Sequence, residues 1–490
     1  MFSVGYDLGS SSVKASLLDS NVNKVLATVS YPKDEMPIFC DNEGWAEQSP
    51  LHWWENIKCA TDLLFKKTPV ARSKISAIGI AYQMHGLVVL DRNGEVLRPS
   101  IIWCDSRAVE IGEVGFEELG KERCCNELLN SPANFTASKL KWVKDNEPSL
   151  YERIYKIMLP GDFIAFKFSN KITTTPMGLS EAILWDFKRN QLSHLIMNYY
   201  GFSYDLIPEI IPTFTKKLKV DKEIAKEFGF NPDVLISYRA GDQPNNAFSM
   251  GVLDPGEIAA TAGTSGVVYG VVDKDIYDTQ NRVNVFTHIN YTSLQKRLGL
   301  LLCVNGTGCA FRWLRDLLAK GAQYKDLEYQ ASFIPIGCEG LTFLPFGNGA
   351  ERMLGDRISG ASFKKIQFNR HSFDHMIRAC IEGVAYSLVY GIEYINSLGL
   401  NPSRIKVGND NMFQSTIFSQ TIATLTNSEI EVRESTGSVG AARGAFYGWN
   451  GSTIEELSSI DDKIEKIYTV DEKNRNEYIK AYQIWESNIE

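Results

Sequence analysis

The sequence predicts an α/β protein built from two similar domains with a cleft between them. Three observations carry that prediction: one hydroxyl-rich turn occurs twice, the chain is too long for a single core, and its start reads as a strand meander. The turn appears first as Tyr6-Asp7-Leu8-Gly9-Ser10-Ser11-Ser12-Val13 and again as Ala260-Thr261-Ala262-Gly263-Thr264-Ser265-Gly266-Val267, each between β-favouring runs. Small hydroxyl residues at a Gly-containing turn leave backbone N–H groups pointing into one concavity, a nest suited to the oxygens of a polyphosphate. Two nests in two halves predict one nucleotide held between two domains. Only the first copy carries a carboxylate, Asp7, where the second has Thr261. A Mg²⁺ would therefore be organised by the first half.

The length of 490 residues fits two domains of roughly 240 residues, each large enough to bury a core. The expected division is residues 1–243 and 244–490. With 51 basic and 59 acidic residues the net charge is -8, and no clustered Lys/Arg tract could track a nucleic-acid backbone. Nucleic acid is excluded as a partner on that ground. Met1-Phe2-Ser3-Val4 leads straight into a strand, without a basic region and apolar segment, and no run of about 18 apolar residues occurs. No membrane partner is expected, and the location expected is the cytoplasm. The nine cysteines form no C-x-x-C pair and no zinc spacing with the six histidines, so they read as reduced, buried thiols.

Along the first half, Val4 to Leu18 reads as two strands around the Gly9 turn and Val25 to Tyr31 as a third, which argues against a dinucleotide-binding βαβ start. Ser49 and Pro50 mark a helix N-terminus, with Trp54, Ile57 and Leu64 on its apolar face. Ile75 to Tyr82 is a buried strand delivering Gln83-Met84-His85-Gly86, followed by a hairpin through Asp91-Arg92-Asn93-Gly94. Trp103-Cys104-Asp105-Ser106-Arg107 is a second polar cluster. Gly115 to Lys121 matches the G-x-x-x-x-G-K spacing, but Glu117, Glu118 and Glu122 would repel phosphate and no apolar strand precedes it, so it is no P-loop.

In the second half, Val234-Leu235-Ile236 reads as a short strand running out to Gly241-Asp242-Gln243-Pro244. Pro244 resists helix formation at Gln243, which leaves Asp242 on a shaped loop. Its local reading as a helix N-cap competes with a chemical one, since phosphoryl transfer to an alcohol needs a carboxylate to accept the hydroxyl proton. Asp374 to Ser397 is a long helix with a core stripe of Ile377, Ile381, Ala385, Leu388 and Ile392. Arg404-Ile405-Lys406-Val407 is a strand ending at Gly408-Asn409-Asp410-Asn411, before a helix from Met412 to Leu425. A flat ring could approach the Gly408 backbone while Asn amides meet its edge, or the segment is an ordinary Asn/Asp turn. Gly437-Ser438-Val439-Gly440-Ala441-Ala442 reads as a small-residue helix entry for close helix packing, with a border on the nucleotide left open as the alternative.

These residues together resemble the FGGY carbohydrate kinases of the actin-like ATPase superfamily over nearly the whole chain. The motifs are Asp7-Leu8-Gly9-Ser10-Ser11, Trp45-Ala46-Glu47-Gln48, Gln83-Met84-His85-Gly86, Leu97-Arg98-Pro99 with Trp103 to Arg107, Leu159-Pro160-Gly161-Asp162, Gly241-Asp242-Gln243 and Gly263-Thr264-Ser265-Gly266-Val267. Within the family the Gln-Met-His-Gly stretch is most like the xylulokinase branch. The resemblance implies two ribonuclease H-like domains with a nucleotide cleft between them, and ATP-dependent, Mg²⁺-assisted phosphorylation of D-xylulose at its terminal hydroxyl. It implies Asp242 as the catalytic base and Asp7 as the acid that positions Mg²⁺, the metal lying near both. Met84 and His85 match sugar-contacting positions, and Trp103 and Asp105 are expected beside them. Gly9, Ser10 and Ser11, with Lys14, would face one side of the triphosphate, Thr264, Ser265 and Gly266 the other, and Gly408, Asn409 and Asn411 the adenosine.

Three stretches depart from the family pattern. The adenosine corner has Gly408-Asn409-Asp410-Asn411 in place of two or three glycines, Pro244-Asn245-Asn246 replaces small residues after the base and predicts a more polar sugar-pocket floor, and Gly349-Ala350-Glu351-Arg352-Met353 lacks the usual Thr-Pro-His. Two alternatives stay open: a kinase for another ketose, polyol or sugar acid such as ribulose, glycerol or gluconate, and a nucleotide-binding regulator without transfer activity. The sequence leaves a homodimer open as well.

Overall fold

The structure, a computed structural model, describes residues 1–409, 411–451 and 464–489. Among them are two large sheets. The first has five strands, in the order Leu235–Gly241, Ile75–Tyr82, Phe2–Leu8, Val13–Asp19 and Lys24–Tyr31. The first three run parallel, and the last two complete the expected meander by antiparallel pairing. The parallel strands are largely apolar and mostly buried, as strands covered on both faces must be, with Arg239 a buried exception. Pro50–Lys66 lies against this sheet with Trp54, Ile57 and Leu64 buried.

The other face of the first sheet is covered by the helix Gly437–Asn450, which comes from the far end of the chain. Its small residues permit this. A Cβ at Gly5 would lie 2.0 Å from the Ser438 carbonyl oxygen, and one at Gly79 1.9 Å from that of Ala441. The helix backbone therefore rests directly on the strands, the close packing read from the sequence.

The second sheet has seven strands, in the order Asn284–Thr287, Leu298–Val304, Gly266–Val272, Ile258–Ala262, Arg404–Gly408, Glu429–Arg433 and Ile464–Tyr468. The 25-residue helix Phe373–Ser397 packs on it. Its stripe of Ile377, Ile381, Ala385, Leu388 and Ile392 is buried, each large side chain contributing about 1.5–3 kcal/mol by its removal from water. The edge strand Asn284–Thr287 reaches back to the first half. Asn130 donates to the Val285 carbonyl (2.6 Å) and accepts the Val285 N–H (2.9 Å), and Ser180 Oγ accepts the Thr287 N–H (3.1 Å).

Local details differ from the sequence reading in several places. The strand before the candidate base extends to Gly241, and a helix, Asp242–Ser249, begins at once. Pro244 does not prevent this because a first-turn residue needs no intrahelical N–H partner. Met412–Gln414 is a 3₁₀ turn, and the α-helix starts only at Thr416, where Ser415 Oγ caps it by accepting the Phe418 N–H (3.2 Å). Ser49 precedes its helix without a side-chain capping bond. Gly115 lies within the helix Val109–Leu119, not in a phosphate loop. All nine thiols are free, and Cys40 and Cys104 are exposed rather than buried. No helix among the described residues is long and apolar enough to cross a membrane.

Candidate active site

The parallel register of the first sheet gathers the site. Leu8 and Gly241 both stand beside Tyr82 in the ladder, so three chain segments leave the sheet at one edge. They are the Gly9–Ser12 turn, Gln83-Met84-His85 and Asp242. Ligands of parallel α/β sheets bind at that carboxyl edge because the strand ends leave it concave. Here the concavity is a cleft of about 410 Å³ lined by Asp7, Met84, His85 and Asp242 together with Gly9, Ser10, Ser11 and Lys14.

Both carboxylates line the cleft and stand at helix N-termini. Asp242 is the first residue of Asp242–Ser249. Asp7 abuts Gly437, the first residue of the helix on the sheet, where a Cβ would stand 2.4 Å from the Asp7 carboxylate oxygen. Helix N-termini favour negative charge. Even so, burial first and the Asp7 charge second push Asp242 up to about 7, against the lowering effect of the Gln243 N–H. A carboxylate whose ionisation is made costly by a second carboxylate forms with it a hard-oxygen pair that a divalent cation relieves.

His85 adopts a left-handed backbone conformation (φ 63°) held from three sides. Its N–H donates to Glu181 Oε2 (3.2 Å), its carbonyl accepts from buried Lys139 Nζ (2.9 Å), and its Nδ1 lies 2.9 Å from the Glu181 carbonyl oxygen. A carbonyl can only accept, so Nδ1 carries the proton and Nε2 is left as an acceptor. The ring packs between Phe135 (4.7 Å) and Phe286 (5.3 Å). Burial and the Lys139 charge hold its pKa down at about 3, so it is neutral. Burial likewise lowers Lys139 to about 7.

The Gly9 N–H bonds the Ser12 carbonyl (3.0 Å), which closes the first turn, and Ser10 and Ser11 line the cleft. Lys14 pairs with Asp7 across the ladder and lines the cleft. The second turn separates two cavities. Ser265 and Val267 line the cleft with Asp7 and Asp242, whereas Gly263 and Thr264 line a neighbouring cavity of about 320 Å³. Gly266 opens the strand behind the turn.

Trp103 lines the cleft and is half exposed. Asp105 is not brought there. It is buried, accepts the Ala46 N–H (2.6 Å) and chelates Arg107, which stacks 3.8 Å from the Trp45 ring. Its acceptors are used in holding that loop. Of the predicted adenosine corner, Asn411 lines the neighbouring cavity and caps Phe413 (3.0 Å). Gly408 ends its strand and Asn409 bonds the Arg433 carbonyl (3.2 Å), and neither lines that cavity. Asp410 lies outside the described residues. Asn246 lines the cleft, but Asn245 is buried, bonded to the Gly437 carbonyl (2.8 Å).

Sequence reasoning missed Gln83, Gln243 and Cys303 in the cleft, and Phe311, Arg312, Tyr324 and Glu328 in the neighbouring cavity. The cavity residues come from the amphipathic helices Gly308–Leu318 and Tyr324–Ala331, whose pattern marks a buried face without marking a ligand. Gln83 and Gln243 adjoin assigned residues, and that adjacency was the available signal.

A profile of the FGGY family of carbohydrate kinases, N-terminal domain, matches residues 2–249. The chain belongs to the FGGY family of carbohydrate kinases. It is a carbohydrate kinase with the actin-like, two-domain α/β architecture of that family. It is 28% identical over 465 residues to the xylulose kinase of Haemophilus influenzae, covering 93% of this chain and 92% of that one. Its fold matches a xylulose kinase structure from Brucella ovis (TM-score 0.89, 24% identity, 99% of this chain and 98% of that one). It matches a gluconate kinase from Lactobacillus acidophilus nearly as well (TM-score 0.88, 22% identity, 99% and 97%).

Proposed function

We propose that this FGGY kinase transfers the γ-phosphoryl group of ATP to the terminal hydroxyl of D-xylulose, giving the 5-phosphate. The observation that carries the reading is the second turn standing as a common wall. A nucleotide seated in the cavity beside Gly263 and Thr264 can extend its terminal phosphate past Ser265 into the cleft that holds Asp242. Xylulose kinases among its relatives support the choice of sugar.

The sugar hydroxyl lies against Asp242, whose raised pKa of about 7 suits a base that accepts a proton as the oxygen attacks phosphorus. His85 Nε2 accepts from a second hydroxyl, Met84 packs against the carbon chain, and Trp103 covers the rim. The backbone N–H groups of Ser10, Ser11, Thr264 and Ser265, with Lys14, meet the phosphate oxygens and stabilise the dispersed charge of a loose transition state. Asp7 and Asp242 fit a divalent cation by their oxygen chemistry. Mg²⁺ bound there supplies neutralisation of phosphate charge. Asn411 and the Phe311–Tyr324 pair, 5.2 Å apart, offer an amide and aromatic surface to adenine.

Residues 1–243 and 244–490 are the proposed closing halves, with the helix Gly437–Asn450 travelling with the first sheet on which it rests. Closure excludes water that would compete as acceptor. The free thiols fit a reducing cytoplasm. The test is a panel of D-xylulose, D-ribulose, glycerol and gluconate with Mg-ATP, scored by ADP release. D-xylulose should give the highest kcat/KM, and preference for another acceptor overturns the assignment of the sugar.

A further inference from the structure

Gln83 stands in the cleft wall with one oxygen unaccounted for. Its side chain is 2% exposed, and Oε1 is buried with no hydrogen-bond partner. An acceptor orphaned in this way costs about 1–3 kcal/mol, and such groups are rare in folded proteins unless something outside the chain satisfies them. The Gln83 backbone N–H is engaged elsewhere, donating to the Leu8 carbonyl (2.7 Å).

The direction in which the amide points is fixed by groups that can play only one role. The Trp53 indole N–H, a donor only, gives its hydrogen to Gln48 Oε1 (3.1 Å). The Ser10 carbonyl, an acceptor only, takes one from Gln48 Nε2 (2.7 Å). Gln48 is thereby locked with its oxygen toward Gln83, which answers with its Nε2 (3.0 Å). Rotating the Gln83 amide would set two oxygens against each other. The chain of bonds therefore obliges Gln83 to present a carbonyl oxygen, and its anchor is the same Ser10 turn that faces the phosphates.

We infer that Gln83 Oε1 accepts a hydrogen bond from a hydroxyl of the sugar, making Gln83 a specificity-determining residue, and that Gln48 is the positioning residue that sets its polarity. The inference rests on the reading of this cleft as the sugar site. A phosphate oxygen, lacking a hydrogen to donate, is rejected at that point, so the acceptor also sorts hydroxyls from phosphates within one cavity.

The test uses whichever acceptor the wild-type enzyme prefers, so that a wrong choice of sugar fails separately in the substrate panel. Each monodeoxy analogue of that acceptor retaining the phosphorylated hydroxyl is compared in wild type and Gln83→Met, which keeps length and removes the acceptor. Gln83→Met should lower kcat/KM for the parent sugar about 10- to 1000-fold and leave KM for ATP within about twofold. For one analogue, the one lacking the hydroxyl that Gln83 reads, wild type and Gln83→Met should differ by less than about threefold. Gln48→Met should reproduce that pattern more weakly, and it serves as the measured variant if Gln83→Met does not fold. Equal losses for the parent and every analogue mean that solvent satisfies Oε1, and they overturn the inference. So does a kcat/KM for the parent sugar within threefold of wild type.

Discussion

Asp242→Asn should destroy turnover and stabilise the free protein, because one carboxylate is both the proposed base and a buried charge beside Asp7. The folded group holds its proton up to about pH 7, whereas an unfolded aspartate loses it near 3.8. Between those values the folded state binds more protons than the unfolded one, so stability falls as pH rises through the window. At about 1.4 kcal/mol per pKa unit the ceiling on this cost above pH 7 is about 4 kcal/mol, and water in the open cleft reduces it to about 2 kcal/mol. The amide keeps the shape and carries no charge. Calorimetry without nucleotide at pH 4.5, 6 and 8 should find Asp242→Asn close to wild type at the lowest pH and higher in Tm by several degrees at pH 8. ADP release should meanwhile fall about 10²- to 10⁴-fold in kcat, with ATP binding by calorimetric titration nearly intact. More than a third of wild-type kcat would remove Asp242 as the base. A Tm at pH 8 equal to or below that of wild type would refute the electrostatic account of the pair.

Asp7→Ala should weaken the apparent affinity for Mg²⁺ in a kcat titration and, by removing the neighbouring charge, move the acidic limb of the kcat/KM profile to lower pH; an unchanged titration and profile count against both roles. His85→Ala should lower kcat/KM for the sugar about 10- to 1000-fold with KM for ATP nearly unchanged. A purely structural histidine would instead lower Tm and spare kcat/KM. Lys139→Met strips the partner from the His85 and Ile102 carbonyls, each 2.9 Å from Nζ, and should raise KM for the sugar about tenfold while KM for ATP holds. An unchanged sugar KM would show that the left-handed turn at His85 stands without it.

The sequence reveals this fold and site unevenly, and the unevenness has a physical pattern. Groups placed by backbone geometry were legible: a Gly-hydroxyl turn between two strands needs few residues to specify it, and parallel strand ends gather whatever follows them, so Asp7, Met84, His85 and Asp242 could be placed from local text. Groups placed by long-range packing were not. Nothing near Gly437 names the strands of Gly5 and Gly79 on which its helix lies, and nothing near Glu328 or Tyr324 names a cavity whose other wall is a turn some sixty residues earlier. Asp105 marks the opposite failure, since a carboxylate, an aromatic and a guanidinium within five residues look like chemistry until Arg107 folds back and takes the carboxylate. Gln83 lies between these cases. Its motif was legible, but its role depends on a bond polarity relayed from Trp53 through Gln48, and the direction of a hydrogen bond is a property of the assembled network that no single stretch of sequence contains.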